Sequence, residues 1–228
     1  MRFSTSLVAL ALVGAASTAG AQACLGTPSF TAGPVRLDGS FATSDGQTSI
    51  GGGVSAGIER GAFGSIAINR YSGDDDAGTD AVTGFGLQAG YELSLKSAKT
   101  TKVSSWSVCP VASFAQAKQS VSVLDDDFDF TARTFTAGVA AGTAIAASPK
   151  VDIAPFASLS LMRISMSADG PGVFEDIFSD SETGLALDLG AGFIISRIFT
   201  VRPAISIPIG FDGADAQFGV SFHMNFGK

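Results

Sequence analysis

Apolar and polar residues alternate along most of the chain. Near its end Val201, Pro203, Ile205, Ile207, Ile209 and Phe211 take one parity, while Arg202, Ala204, Ser206, Pro208, Gly210 and Asp212 take the other. After a short turn, Phe218, Val220, Phe222, Met224 and Phe226 alternate with Gln217, Gly219, Ser221, His223 and Asn225. Period two is the signature of a strand. Ten such segments recur, at about 33–43, 48–60, 63–71, 82–95, 104–118, 132–147, 150–167, 183–196, 198–211 and 215–227, and none has a helical period. Most exceed the ~5–6 residues usual in soluble sheets and approach the ~9–11 that a tilted strand needs to cross a membrane.

The connections alternate as well. Numbered in order, the odd ones include every long one, such as "SGDDDAGTDA", "QSVSVLDDDFDF" and "ADGPGVFEDIFSDSE", whereas most even ones are tight, such as "RGA", "SPK" and "SR". Short turns at one end and longer loops at the other is the pattern of an outer-membrane barrel. Charge sorts the same way. The odd connections hold 16 of the 21 acidic residues: Asp45, Asp74, Asp75, Asp76, Asp80, Asp125, Asp126, Asp127, Asp129, Asp169, Glu175, Asp176, Asp180, Glu182, Asp212 and Asp215. Arg60, Lys96, Lys99, Lys102, Lys150 and Arg197 lie in or beside the even ones.

The polar parity decides between a water-facing surface and a lumen. It reads Gly51, Gly53, Ser55, Gly57 in the second segment, Gly84, Gly86, Gln88, Gly90 in the fourth and Gly138, Ala140, Gly142, Ala144 in the sixth. Small residues suit a cramped interior filled by side chains. Its charges are few and of both signs: Arg36, Asp38, Glu59, Glu92, Asp152, Asp188 and Arg202. Enclosed in a lumen these must pair, and with His223 they form the expected charge network. Arg202 and Asp188 are the expected direct pair, joined across the turn near Arg197. The opposite parity, for example Leu185, Leu187, Leu189, Ala191, Phe193 and Ile195, carries no charge at mid-segment, as lipid demands. Pro203 and Pro208 cannot donate to a ladder and predict bulges or strand ends.

Composition fits one domain: 228 residues, 46% hydrophobic and only 15% charged, with 28 glycines spread through apolar segments. "MRFSTSLVALALVGAASTAGAQA", residues 1–23, has an early Arg, an apolar run and an Ala-x-Ala ending, and reads as a secretory signal peptide cut after Ala21 or Ala23. Residues 24–228 then form the barrel domain. Gln22 before Cys24 fits a lipoprotein signal poorly. After the signal no run of 18 apolar residues exists, so a membrane chain of this kind must close its sheet.

With that signal, an even number of strands and the final "FGVSFHMNFGK", the chain resembles the small outer-membrane β-barrel proteins, the OmpA-like family with an outer membrane protein beta-barrel domain. The resemblance implies a single up-and-down antiparallel transmembrane barrel of ten strands, eight being the alternative, in a bacterial outer membrane with both termini periplasmic. It implies as partners the lipid and lipopolysaccharide of that membrane and the barrel-assembly machinery, and a monomer. The expected role is structural or surface interaction with at most limited, porin-like passage of small solutes. A soluble secreted β-sandwich or adhesin is the first rival, and a lipid-modifying barrel enzyme the second.

Candidate chemistry changes this picture little. Cys24 and Cys109 are the only cysteines; they fall near the same end, and a disulfide tying the N-terminal segment into the barrel mouth is expected, two free thiols being the alternative. Their spacing excludes a zinc site. His223, the one histidine, lies near the periplasmic rim, and the Gly-x-Ser-x-Gly match at 53–57 falls within an alternating segment rather than at a strand-to-helix elbow, so a structural, lumenal histidine is expected and no enzyme. The acidic runs 74–76 and 125–127 lack the spacing of a calcium loop and read as solvated loops. Trp106, Phe114 and Tyr91 fall on the outward parity, Trp106 as an interface girdle residue. A net charge of −7 and the lack of a phosphate-binding glycine loop argue against nucleic acid, and no cofactor or metal is expected.

Overall fold

The computed structural model describes residues 23–27, 30, 34–44, 47–58, 61–72, 81–95, 103–123, 126–169, 180–211 and 213–226. Residues 1–22, the greater part of the expected signal peptide, and the acidic run 74–76 lie outside the described residues. The strands are β1 (Val35–Ser44), β2 (Gln47–Gly57), β3 (Ala62–Ser72), β4 (Val82–Tyr91), β5 (Leu93–Leu95), β6 (Val103–Val123), β7 (Asp126–Ser148), β8 (Val151–Asp169), β9 (Asp180–Ile195), β10 (Phe199–Ile209) and β11 (Gln217–Phe226). Before them lies a short 3-10 turn, Ala23–Leu25. All pairings are antiparallel, β1 pairs with β11 and β4 with β6, so the sheet closes on itself. Because β4 and β5 lie end to end against β6, parted at Glu92, they make one stave, and the barrel has ten.

Burial follows the alternation. Ile66 and Ile68 are each 62% exposed, while their neighbours Asn69 and Tyr71 on the other parity are buried. A belt of Ile, Leu, Val and Phe of this kind runs round the outside, far beyond the apolar patch a soluble monomer exposes. One substitution pair tests the two faces. Ile207→Arg is expected to block membrane insertion, since a lipid-facing Arg near the midplane costs ~2–4 kcal/mol, whereas Ser206→Arg, on the lumen face beside Asp188, is milder. Equal loss of heat-modifiable folded protein from both variants would contradict the assignment.

Three expectations are corrected. The segment 119–130 is not a long loop: β6 and β7 stay paired up to Val123↔Asp126, because it is rich in strand formers such as Val121, Val123, Phe128 and Phe130. Asp126 and Asp127 of the second acidic run therefore begin a strand. Pro203 makes no bulge; the β9–β10 pairing skips Arg202 and Pro203 but resumes in the same register. Phe211 turns inward although its parity predicts the lipid face, because Gly210 adopts a φ of 82° and swings the chain over.

The lumen is layered. At the end bearing the tight turns, Cys24, Leu25, Phe30, Phe63, Cys109 and Ala140 form an apolar cluster. At the opposite end Met162, Ile164, Ala186 and Phe211 pack together with Ala132, and Ala42, Tyr71, Val82 and Ala117 form a third group. The inward parity thus carries large side chains as well as the small ones. Polar and charged groups occupy the layer between.

Candidate functional site

Residues two apart on a strand share a face, and register does the rest. Asp38 on β1 stands opposite His223 on β11, and both point inward. His223 Nδ1 lies 2.6 Å from Asp38 Oδ1 and its Nε2 lies 2.9 Å from Ser221 Oγ. Since a carboxylate only accepts, Nδ1 carries the proton and donates to Asp38, and Nε2 accepts from the Ser221 hydroxyl. Ser55 on β2 donates to the other Asp38 oxygen, Oδ2. Arg36, two residues before Asp38 and wholly buried, brings its Nε to 3.8 Å from Asp38 Oδ1. One carboxylate therefore ties three strands and faces two basic groups. A small cavity beside it is walled by Ser40, Ser65, Ser221 and His223.

Ser221, His223 and Asp38 have the connectivity of nucleophile, base and orienter. Acyl transfer also needs donors aimed at a developing oxyanion. Ser221 lies in mid-strand, paired with Ser40 on one side and Arg202 on the other, where backbone N–H groups are spent in the ladders rather than presented at a turn. The arrangement is suited to binding strands together.

A second group surrounds Arg202 on β10. Its Nη1 donates to the Leu25 carbonyl at 3.1 Å, and its guanidinium lies 4.8 Å from the centre of the Phe156 ring. Asp188 is the carboxylate that acts most strongly on Arg202 through space, followed by Asp38. Their backbones are offset in register, since Asp188 stands opposite Ser206, four residues from Arg202 and roughly 13 Å along the strand. Asp188 also accepts from Ser158, directly across on β8, at 2.6 Å. Glu92, at the break between β4 and β5, accepts from Ser107 at 2.8 Å. Asp152 is half-buried near the β7–β8 turn, and Glu59 lies outside the described residues.

The N-terminal segment was legible only as a tether, and it is more than that. Cys24 and Cys109 form the disulfide with Cα atoms 6.0 Å apart, and Leu25, Gly26, Thr27 and Phe30 are buried inside the barrel end. Phe30 lies 6.4 Å from Phe63 and 4.4 Å from the Arg36 guanidinium. Gly26 takes a φ of 75° to turn within the lumen, and its carbonyl lies so close to Gly192 of β9 that a Cβ there would overlap it. The inward glycines on β9 were the available signal, since bare backbone admits something bulky from elsewhere.

Comparison with known proteins agrees with this architecture. The model of a family described as "Outer membrane protein beta-barrel domain" matches residues 6–226. Among solved structures, the N-terminal β-barrel domain of Pseudomonas aeruginosa OprF is 10% identical, with a TM-score of 0.40 over 84% of this chain and 96% of that one. The translocator domain of the autotransporter NalP from Neisseria meningitidis is 10% identical, with a TM-score of 0.44 over 84% and 87%. Ail, the attachment invasion locus protein of Yersinia pestis, is 16% identical, with a TM-score of 0.30 over 83% and 91%. No curated protein matches the chain.

Proposed function

Because the chain belongs to the outer membrane protein beta-barrel domain family, we propose that it is an outer-membrane barrel closed to solutes, serving structure and surface interaction rather than transport or catalysis. The filling of the lumen carries this reading: apolar clusters occupy both ends, and the layer between them is cross-linked by Asp38, His223, Ser55 and Ser221. A ten-stranded barrel is a little wider than one whose lining fills it unaided, and the added segment around Phe30 takes up that room. Both termini and the tight turns share one end, which is assigned to the periplasm, as short turns are in this class of barrel. The β6–β7 hairpin then faces outward. It continues to Val123↔Asp126, whereas β4 pairs with β6 no further than Thr83↔Lys118, so it stands about five residues, roughly 17 Å of strand, above its neighbour. Its acidic tip suits it to meet lipopolysaccharide-bound cations or a cationic partner. The chain inserts as a monomer through the barrel-assembly machinery, with its belt in lipid.

An epitope placed between Val123 and Asp126 is expected to stain on intact cells, and a tag after Lys228 only after permeabilisation. The reverse pattern would overturn the orientation and the surface role with it.

A further inference from the structure

The segment that fills the periplasmic end sits on an unfavourable seat. Beneath it lie two guanidiniums, that of Arg36, wholly buried, and that of Arg202, 4% exposed. The two act on one another through space as like charges. None of the three Arg36 nitrogens donates a hydrogen bond within the described protein, its nearest carboxylate oxygen being that of Asp38 at 3.8 Å. The face of Phe30 offsets part of this, and the Leu25 carbonyl serves Arg202. Lifting the segment exposes Arg36 to water, and burying a guanidinium that donates no hydrogen bond opposes its return. Besides the apolar contacts of Leu25 and Phe30, the bond from Cys24 to Cys109 ties it down.

We propose that Cys24–Thr27 and Phe30 form a latched stopper: the disulfide keeps in place side chains that otherwise leave, baring an arginine-lined vestibule at the periplasmic end. This rests on the reading of the barrel as closed. Closure takes two successive thiol–disulfide exchanges through a mixed disulfide. The thiols of Cys24 and Cys109 lose two protons and two electrons to the disulfide of a periplasmic thiol oxidase, which departs as a dithiol while the Cys24–Cys109 bond forms. Both sulfurs are wholly buried once the segment is seated, so the exchanges take place while it is out or arriving, and the finished latch is shielded from reductant.

The test is the reactivity of Cys109 in a Cys24→Ser chain, folded in lipid as checked by heat-modifiable migration. With the stopper released, a water-soluble maleimide should label Cys109 at least about tenfold faster than a thiol protected until global unfolding. Adding Arg36→Met, which removes one charge from under the seat but keeps a side chain to pack on Phe30, should slow labelling again. Cys109 unreactive until the barrel unfolds would overturn the latch. Labelling unchanged by Arg36→Met would overturn the electrostatic origin of release. Neither outcome depends on whether the wild-type barrel conducts, so a leaky wild type would fail the closed-barrel reading separately.

Discussion

Asp38→Ala is expected to destabilise the barrel by about 3–5 kcal/mol, the scale of losing one partner from a buried charge pair. The carboxylate is where β1, β2 and β11 meet: it accepts from His223 and Ser55 and is the nearest counter-charge to a wholly buried Arg36. Removing it leaves the guanidinium without compensation and His223 Nδ1 without an acceptor. Asp38→Asn keeps an acceptor but not the charge and should fall between. Urea unfolding in lipid, followed by the loss of the fast-migrating folded form, measures this. An Asp38→Ala midpoint equal to wild type would mean that the network closes the lumen without supporting the wall.

The second large effect concerns backbone against backbone. Gly192→Val puts a branched side chain where the Gly26 carbonyl sits, and neither partner is a flexible side chain that can swing aside. Overpacking of this kind ordinarily costs ~1–3 kcal/mol. Here a cheaper escape exists, in which the N-terminal segment does not seat. Nonreducing peptide mass spectrometry should therefore find the Cys24–Cys109 link in wild type and largely lose it in Gly192→Val, with both thiols open to alkylation. Gly39→Val is the control, since a Cβ there meets nothing within 4 Å and faces outward. A full yield of disulfide in Gly192→Val would show that the segment does not pass where Gly192 requires it to.

The wall of this protein was legible because each strand obeys one rule over its length. Leu185 to Ile195 and Phe218 to Phe226 face out and their alternates face in, with no tertiary information needed. The end of that rule is also where the reading broke down. A single residue with positive φ, Gly210, inverted the parity of Phe211, and the strand formers Val121 and Val123 carried a hairpin through what the aspartates suggested was a loop. The contents of the lumen were harder. That Asp38, His223 and Arg36 face inward follows from parity, but that Asp38 and His223 share a rung depends on the β1–β11 seam, which joins the two ends of the chain. That Arg202 and Asp188 act on one another through space follows from their inward parity on neighbouring strands, but the four-residue offset between them and the bond from Arg202 to Leu25 depend on register and on a distant segment. The segment from Cys24 to Phe30 has no periodicity, so only its cysteine and the unexplained glycines on β9 marked it.

Single-channel recording of the oxidised, full-length protein in planar bilayers tests the closed lumen most directly. With apolar packing at both ends and a cross-linked polar layer between, the wild-type barrel should show no steady conductance, only rare brief openings. A large, steady, open current from a correctly folded, disulfide-bonded population would contradict the account.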